Sequence, residues 1–274
     1  MFPTFLGIGV PRSGTTWLHE LLNSHPEVFV PRRRKEIHFF DRDYRYGPQW
    51  YEKFFPSQAN GYKAVGEITP HYLFPDCCPQ RIATMPMISH LILILRNPID
   101  RAYSHYRFRI QWQNYRKTFE EFMSDEPKSI EWGFYSRYLK NYLNHFSREQ
   151  ILILIHEEIF DDIVRTRQAI ADFLGIDAHR FPEHAGTERV NRSAAPGFAP
   201  VCKIASRANA ALRAQNLDWV VNLGKKLGVK QLFGTKKVPV DPMLKETRDH
   251  LYKLYEEDIR QLEAILQKDM VLWK

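Results

Sequence analysis

The sequence predicts an α/β fold of three layers, with a central, mostly parallel sheet flanked by helices. Continuous apolar runs near the N-terminus, at 91–95 (LILIL) and at 151–155 (ILILI) suit strands covered on both faces. Each run is followed by turn residues and then by a helical pattern, so the chain repeats a strand–turn–helix order. Its 274 residues, 44% hydrophobic and 26% charged, are enough for one substantial core and exclude a disordered or fibrous chain. Residues 1–274 are accordingly read as a single domain.

Pro3 to Val10 is expected as a buried strand ending in a Gly/Pro-rich turn. Thr15 to Asn23 follows as a helix, with Trp17, Leu18, Leu21 and Leu22 on its apolar side. From Val30 to Pro79 the chain is irregular, aromatic, basic and proline-rich, with a short strand around Val65. An irregular region that long in a compact domain usually builds a site or a lid. The strand Leu91–Leu95 breaks at Arg96-Asn97-Pro98, and a helix runs on to about Trp112 with Pro98 in its first turn. Ile151–Ile155 is the next strand, and Phe160–Leu174 its helix, closed by Gly175. Phe181 to Pro200 reads as a loop. Leu244, Leu251, Leu254, Tyr255, Ile259, Leu262 and Leu266 then recur at helical spacing, predicting a long helix packed along the domain.

Lys and Arg number 39 against 32 Asp and Glu, a net charge of +7 that suits an anionic ligand. Cys77, Cys78 and Cys202 have no zinc-ligand spacing, and an adjacent pair is an awkward start for a disulfide framework. A reducing, cytoplasmic compartment is the expectation. The opening MFPTFLGIGVPRSG lacks a signal-peptide pattern and LILIL is too short to span a bilayer, so stable membrane insertion is not expected. The basic run Arg32–Lys35 has no nucleic-acid recognition module beside it, and no nucleic-acid partner is expected. It reads either as the edge of an anionic site or as a solvated surface.

The chemistry begins at Gly9-Val10-Pro11-Arg12-Ser13-Gly14-Thr15-Thr16. Two glycines bracket a turn, Ser13 or the threonines can cap the next helix, and that helix's first N–H groups can face a phosphate. A capped structural turn is the plainer reading. The spacing is P-loop-like, G-x4-G-K-[ST], but Thr15 stands where the lysine for the β/γ-phosphates belongs. That disfavours a plain ATPase or kinase and leaves an anion site with Arg12 on the loop.

PRSGTTWL at 11–18 resembles the 5′-phosphosulfate loop of sulfotransferases that use 3′-phosphoadenosine 5′-phosphosulfate (PAPS). The resemblance implies that Arg12 binds the 5′-phosphosulfate and stabilises the transferring group, while Ser13, Gly14, Thr15 and Thr16 hold the 5′-phosphate. It extends to LRNPIDRAYSHY at 95–106, where Arg96 and Ser104 match the pair that binds the cofactor's 3′-phosphate. Arg101, on the same helix, is equally explained by a surface or helix ion pair. Glu188–Ser193 resembles a late loop closing over the nucleotide and makes Arg192 a further cofactor contact.

KEIHFFD at 35–41 resembles the E-x-HFFD segment of the heparan sulfate glucosaminyl sulfotransferases and related bacterial enzymes. Extended geometry places Glu36 and His38 on one side, where either can take a proton from an acceptor hydroxyl. From composition alone Glu36 can equally pair with Arg34 or Lys35, and His38 can pack among aromatics. The resemblance makes Glu36 the base and gives His38 and Asp41 acceptor-site or supporting roles. In the related glycosaminoglycan branch, E-K-[ST]-x-x-Y carries a lysine near the sulfuryl group. Glu67-Ile68-Thr69-Pro70-His71-Tyr72 has isoleucine there, although Glu67 and Thr69 can still organise the acceptor side.

These segments together imply a PAPS-dependent sulfotransferase acting on a hydroxyl, or less readily an amine, of a carbohydrate or small molecule. The product nucleotide is 3′,5′-bisphosphoadenosine, no metal is required, and the nearest relatives include bacterial enzymes. The competing readings are a P-loop-like phosphotransferase and an adenine-nucleotide-binding protein that has lost catalysis.

Overall fold

The computed structural model describes residues 1–32, 34–55, 61–187 and 239–273. Five strands form one sheet in the order β2-β3-β1-β4-β5: β1 Phe5–Gly9, β2 Val28–Phe29, β3 Ala64–Ile68, β4 His90–Leu95 and β5 Ile151–Ile155. All four pairings are parallel, with Leu6 opposite Glu67 on one side of β1 and Leu91 on the other. The helices are α1 Thr15–Ser24, α2 Pro48–Glu52, α3 Cys77–Ala83, α4 Pro98–Gln113 and α5 Phe119–Asp125. They continue with α6 Pro127–Glu131, α7 Tyr135–Leu143, α8 His156–Ile159, α9 Ile163–Leu174 and α10 Lys245–Leu266.

Alternation along the strands divides the core into two layers. Leu6, Ile8, Val65, Leu91, Leu93 and Ile155 join one buried cluster with Tyr106 of α4, Leu139 of α7 and Leu251, Tyr255, Ile259 and Leu262 of α10. Phe5, Ile68, Ile92 and Ile94 face the other way and pack on Trp17, Leu18, Leu21 and Leu22 of α1 and Ile170 and Leu174 of α9. The three-layer, parallel arrangement is therefore as expected, with helices on both faces.

The differences lie at boundaries. The helix expected from Phe160 starts at Ile163 as α9, where the Asp162 side chain accepts the Arg165 amide, and the short helix α8 comes before Phe160. Gly175, at φ 66°, closes α9. Leu244 and Leu254 are exposed, so the buried stripe of α10 is narrower than the apolar spacing suggested. The edge strand β2 precedes the irregular region, which holds short helical turns at Phe39–Asp43, Tyr44–Tyr46 and Pro70–Leu73 together with α2 and β3, the strand expected around Val65. Asn97 caps α4 by accepting the Ile99 and Asp100 amides at 3.0 and 3.4 Å.

From β1 the chain passes to the edge and returns as β3 on one side of β1, then crosses to β4 on the other. Such a reversal leaves a crevice outside the carboxyl ends of the strands. The segments after β1, β3 and β4 all open at that edge.

Candidate functional site

The turn after β1 depends on two left-handed residues, Arg12 at φ 75° and Gly14 at φ 102°. At Gly14 a Cβ would add strain and come within 3.2 Å of His156 Nδ1. Gly14 is itself the N-cap of α1, and no side chain caps the helix. The cap expected from Ser13 or the threonines is therefore not made. Ser13 is fully buried and its Oγ has no hydrogen-bond partner, while its carbonyl lies 2.9 Å from His156 Nδ1. An uncapped ten-residue helix over an orphaned hydroxyl offers donors to an anion.

Positive charge gathers beside that turn. Arg96, at the end of β4, donates from Nη1 to the Arg12 carbonyl at 3.0 Å, and its Nε is buried without a partner. Arg12 donates from Nε to Ser104 Oγ of α4 at 3.4 Å and lies over the Phe108 ring, 4.9 Å from its centroid. Burial, then the charges of Arg96, Arg107 and Arg101, brings the Arg12 pKa down to about 10. Arg101 is 0% exposed and donates to the Ser129 carbonyl, with Nε and Nη1 unpartnered. It is not the surface or ion-paired residue that sequence allowed, because α4 turns it inward onto α6. The arrangement concentrates positive potential where Arg12, Arg96 and Ser104 converge.

The Lys35–Asp41 segment forms the opposite wall. Glu36 Oε2 is 3.5 Å from His38 Nε2, and His38 Nδ1 is 2.8 Å from Asp41 Oδ2. Burial opposes the Glu36 charge, but the His38 hydrogen bond and the Lys35 charge prevail and hold its pKa at about 2. For His38 burial likewise opposes protonation, while Asp41 and Glu36 outweigh it and push the pKa up to about 9. The segment thus holds a carboxylate against an imidazolium whose far nitrogen is fixed by a second carboxylate.

Glu67 and Thr69, expected on the acceptor side, are both fully buried behind this wall. Glu67 accepts the hydroxyls of Thr69 at 2.6 Å, Tyr72 at 2.6 Å and Tyr51 at 3.2 Å. Thr69 Oγ1 in turn accepts the Ile37 amide at 3.0 Å and the His38 amide at 3.4 Å, and Tyr72 accepts the Phe39 amide at 2.8 Å. The end of β3 thereby holds the backbone that carries Glu36 and His38. Ile68 faces the layer under α1, where a Cβ on Gly7 would be 2.6 Å from its Cγ1.

Two further side chains belong to the site: Lys35, which the sequence left open between a site edge and a solvated surface, and His71, which it did not assign. Lys35 donates from Nζ to Thr16 Oγ1 at 2.8 Å and lies 3.5 Å from Glu36 Oε1, joining the start of α1 to the carboxylate. His71 has a nitrogen within 4.8 Å of the Glu36 and His38 donor atoms, and its Nδ1 is buried without a hydrogen-bond partner. It follows Pro70 in the E-x-T-P-H stretch, whose departure from the family pattern was the available signal. The three groups could hold a metal ion, but protonation of His38 competes with coordination there.

The described residues of the basic run at 32–35 do not act as one patch. Among them, Arg32 donates to Asn23 at the surface, Arg34 pairs with Asp43 at 3.2 Å, and Lys35 turns into the site. Arg192, with the rest of the late loop, lies outside the described residues.

Residues 3–194 match the family described as the sulfotransferase domain. Heparan sulfate glucosamine 3-O-sulfotransferase 3B1 of Homo sapiens is 32% identical over 183 residues, covering 64% of this chain and 46% of that protein. The membrane-associated sulfotransferase kil1 of Dictyostelium discoideum is 36% identical over 138 residues, 47% of this chain and 29% of that protein. The chain thus spans less than half the length of these curated relatives. Among solved structures, a sulfotransferase from Alicyclobacillus acidocaldarius superposes with a TM-score of 0.72 at 22% identity, covering 100% of this chain and 99% of that one. That superposition shows a shared fold.

Proposed function

The chain belongs to the sulfotransferase domain family, and from that premise we propose that it is an enzyme moving a sulfuryl group from PAPS to an acceptor hydroxyl or amine. PAPS supplies the activated sulfuryl group and leaves as 3′,5′-bisphosphoadenosine. The observation that carries this reading is the convergence of two strand–turn–helix units at one crevice, with Arg12 reaching Ser104 and Arg96 reaching the Arg12 carbonyl. Their orphaned Ser13 Oγ and Arg96 Nε fit a phosphate-rich ligand, because buried donors without partners are otherwise costly. The P-loop-like turn, Ser13 to Thr16, serves the 5′-phosphate, and Arg96 with Ser104 serves the 3′-phosphate. Arg12, between them, stabilises the transferring end.

Glu36 is the base. Its pKa of about 2 makes it a weak one, so it accepts the acceptor's proton late, when bonding to sulfur has already acidified the attacking oxygen. His38 and Asp41 keep Glu36 aimed and face the acceptor. Glu67 and Thr69 support that wall from behind. The reading requires no metal: the charge on the phosphates and sulfonate is met by arginines and helix N–H groups. The acceptor is a hydroxyl-bearing carbohydrate or small molecule, and a cytoplasmic location suits the free, adjacent Cys77 and Cys78.

The test is PAPS-dependent transfer to a panel of carbohydrates, phenols, lipids and peptides, with Glu36→Gln beside the wild type. Turnover should be lost in the variant while 3′,5′-bisphosphoadenosine still binds. Unchanged turnover would remove Glu36 from the role. Selective binding of ATP–Mg²⁺ over the bisphosphate would overturn the sulfotransferase reading itself.

A further inference from the structure

Arg12 meets the transferring group from the P-loop-like turn, but a second place for a cation holds none in this chain: Ile68 points away beneath α1. Lys35 reaches the same crevice from the opposite wall. Its ammonium is 2.8 Å from Thr16 Oγ1, at the first turn of α1, and 3.5 Å from Glu36 Oε1. No other pair of contacts among the described residues joins the phosphate-binding turn to the carboxylate so directly. The side chain is 24% exposed, so this is no solvated surface lysine.

We infer that Lys35 is a catalytic residue that neutralises charge on the sulfuryl group in transit, beside Arg12 and in place of the cation missing at Ile68. The inference rests on the sulfotransferase reading above. In the step, a bond forms between the acceptor oxygen and sulfur as the bond from sulfur to the 5′-phosphate oxygen breaks. The bonding pair leaves with that phosphate, and the acceptor proton passes to Glu36. Lys35 gains and loses no proton. Its ammonium touches both Thr16 Oγ1 at the start of α1 and Glu36 Oε1, so it flanks the crevice in which the negatively charged sulfuryl oxygens would pass.

Two features of Lys35 fit that task. Burial lowers its pKa despite the opposing Glu36 charge, so the ammonium is less hydrated than a surface lysine and its charge is less screened. It is also the residue next to the base in sequence, on a backbone segment fixed by Thr69. A cation carried by the same segment as the carboxylate keeps its distance to that carboxylate when an acceptor enters.

The experiment compares wild type with Lys35→Met, Lys35→Gln and Lys35→Arg. Three quantities are read: calorimetric affinity for 3′,5′-bisphosphoadenosine, calorimetric affinity for PAPS, and sulfate release from PAPS, with water as acceptor where the panel yields none. The bisphosphate lacks the sulfuryl group, so its affinity should change less than twofold in every variant. Sulfuryl transfer should fall about a hundredfold in the uncharged variants, with Lys35→Arg retaining at least a tenth of wild-type rate. PAPS affinity should fall with loss of a charge-assisted contact, by about tenfold. Transfer kept within threefold in both uncharged variants would overturn the assignment. So would bisphosphate affinity falling in step with the rate, which would make Lys35 a support for Thr16 and the phosphate. A wild-type protein that neither binds the bisphosphate nor transfers sulfate would instead sink the underlying sulfotransferase reading, and a melting curve for each variant identifies any that fails to fold.

Discussion

Thr69 donates a hydrogen bond from its hydroxyl to Glu67 at 2.6 Å, and the same oxygen accepts the Ile37 amide at 3.0 Å. One buried hydroxyl therefore ties the end of β3 to the segment bearing the proposed base. Its two roles are fixed by polarity: a Glu67 carboxylate only accepts hydrogen bonds, so the Thr69 lone pairs are left for the backbone amides.

Thr69→Val keeps the shape and removes both roles. It leaves the Ile37 amide without its acceptor in a buried place, which should cost about 1–3 kcal/mol in chemical denaturation. Transfer should fall roughly tenfold to a hundredfold through misplacement of Glu36, while bisphosphate affinity stays near wild type. Thr69→Ser, which restores the hydroxyl, should recover most of both losses. A valine variant with wild-type rate would show that the segment holds its geometry unaided.

How much of this was legible beforehand follows from distance along the chain. Glu36, His38 and Asp41 sit within six residues, and their extended or turned backbone brings them together whatever the rest of the fold does. The strand–turn–helix units were readable because continuous apolar runs admit few alternatives in a chain of this size. Lys35 with Thr16 is a pair 19 residues apart, and Arg12 with Ser104 a pair 92 apart. Only parallel pairing around β1 brings such residues to one edge. Arg101 shows the same limit from the other side. Its spacing on α4 is that of an ordinary helix surface, and α6 alone makes it interior. The inward turn of Glu67 was likewise hidden, since three hydroxyl donors from separate positions decide it.

The His38 charge should be visible in stability. Its folded pKa of about 9 lies above the ordinary 6.5, burial being outweighed by Asp41 and Glu36. A raised basic pKa means the folded state binds the proton more tightly. The stabilisation is therefore complete below about pH 6.5 and is lost as pH rises through about 9. Melting temperature of the wild type should fall by several degrees across that window, and the fall should be largely missing in His38→Gln. A difference curve between the two that is flat from pH 6.5 to 9 would remove the imidazolium from the site.

Arg96 and Ser104 should separate cleanly in nucleotide binding, because they contribute differently to the same anion site. Arg96 carries a charge, an unpartnered buried Nε and a hydrogen bond that holds the Arg12 carbonyl at 3.0 Å. Arg96→Ala removes all three. Affinity for 3′,5′-bisphosphoadenosine should drop between about tenfold and a hundredfold, the range of a lost charge-assisted contact. Ser104 offers a neutral hydroxyl, now accepting from Arg12 Nε at 3.4 Å. Ser104→Ala should therefore cost only a few-fold. Salt sharpens the contrast: raising ionic strength should weaken wild-type binding more than binding to the Arg96 variant, which has one charge fewer to screen. The serine variant keeps every charge and should follow the wild-type slope. Equal losses in the two variants would mean that the site reads shape around α4 rather than the charge at the end of β4.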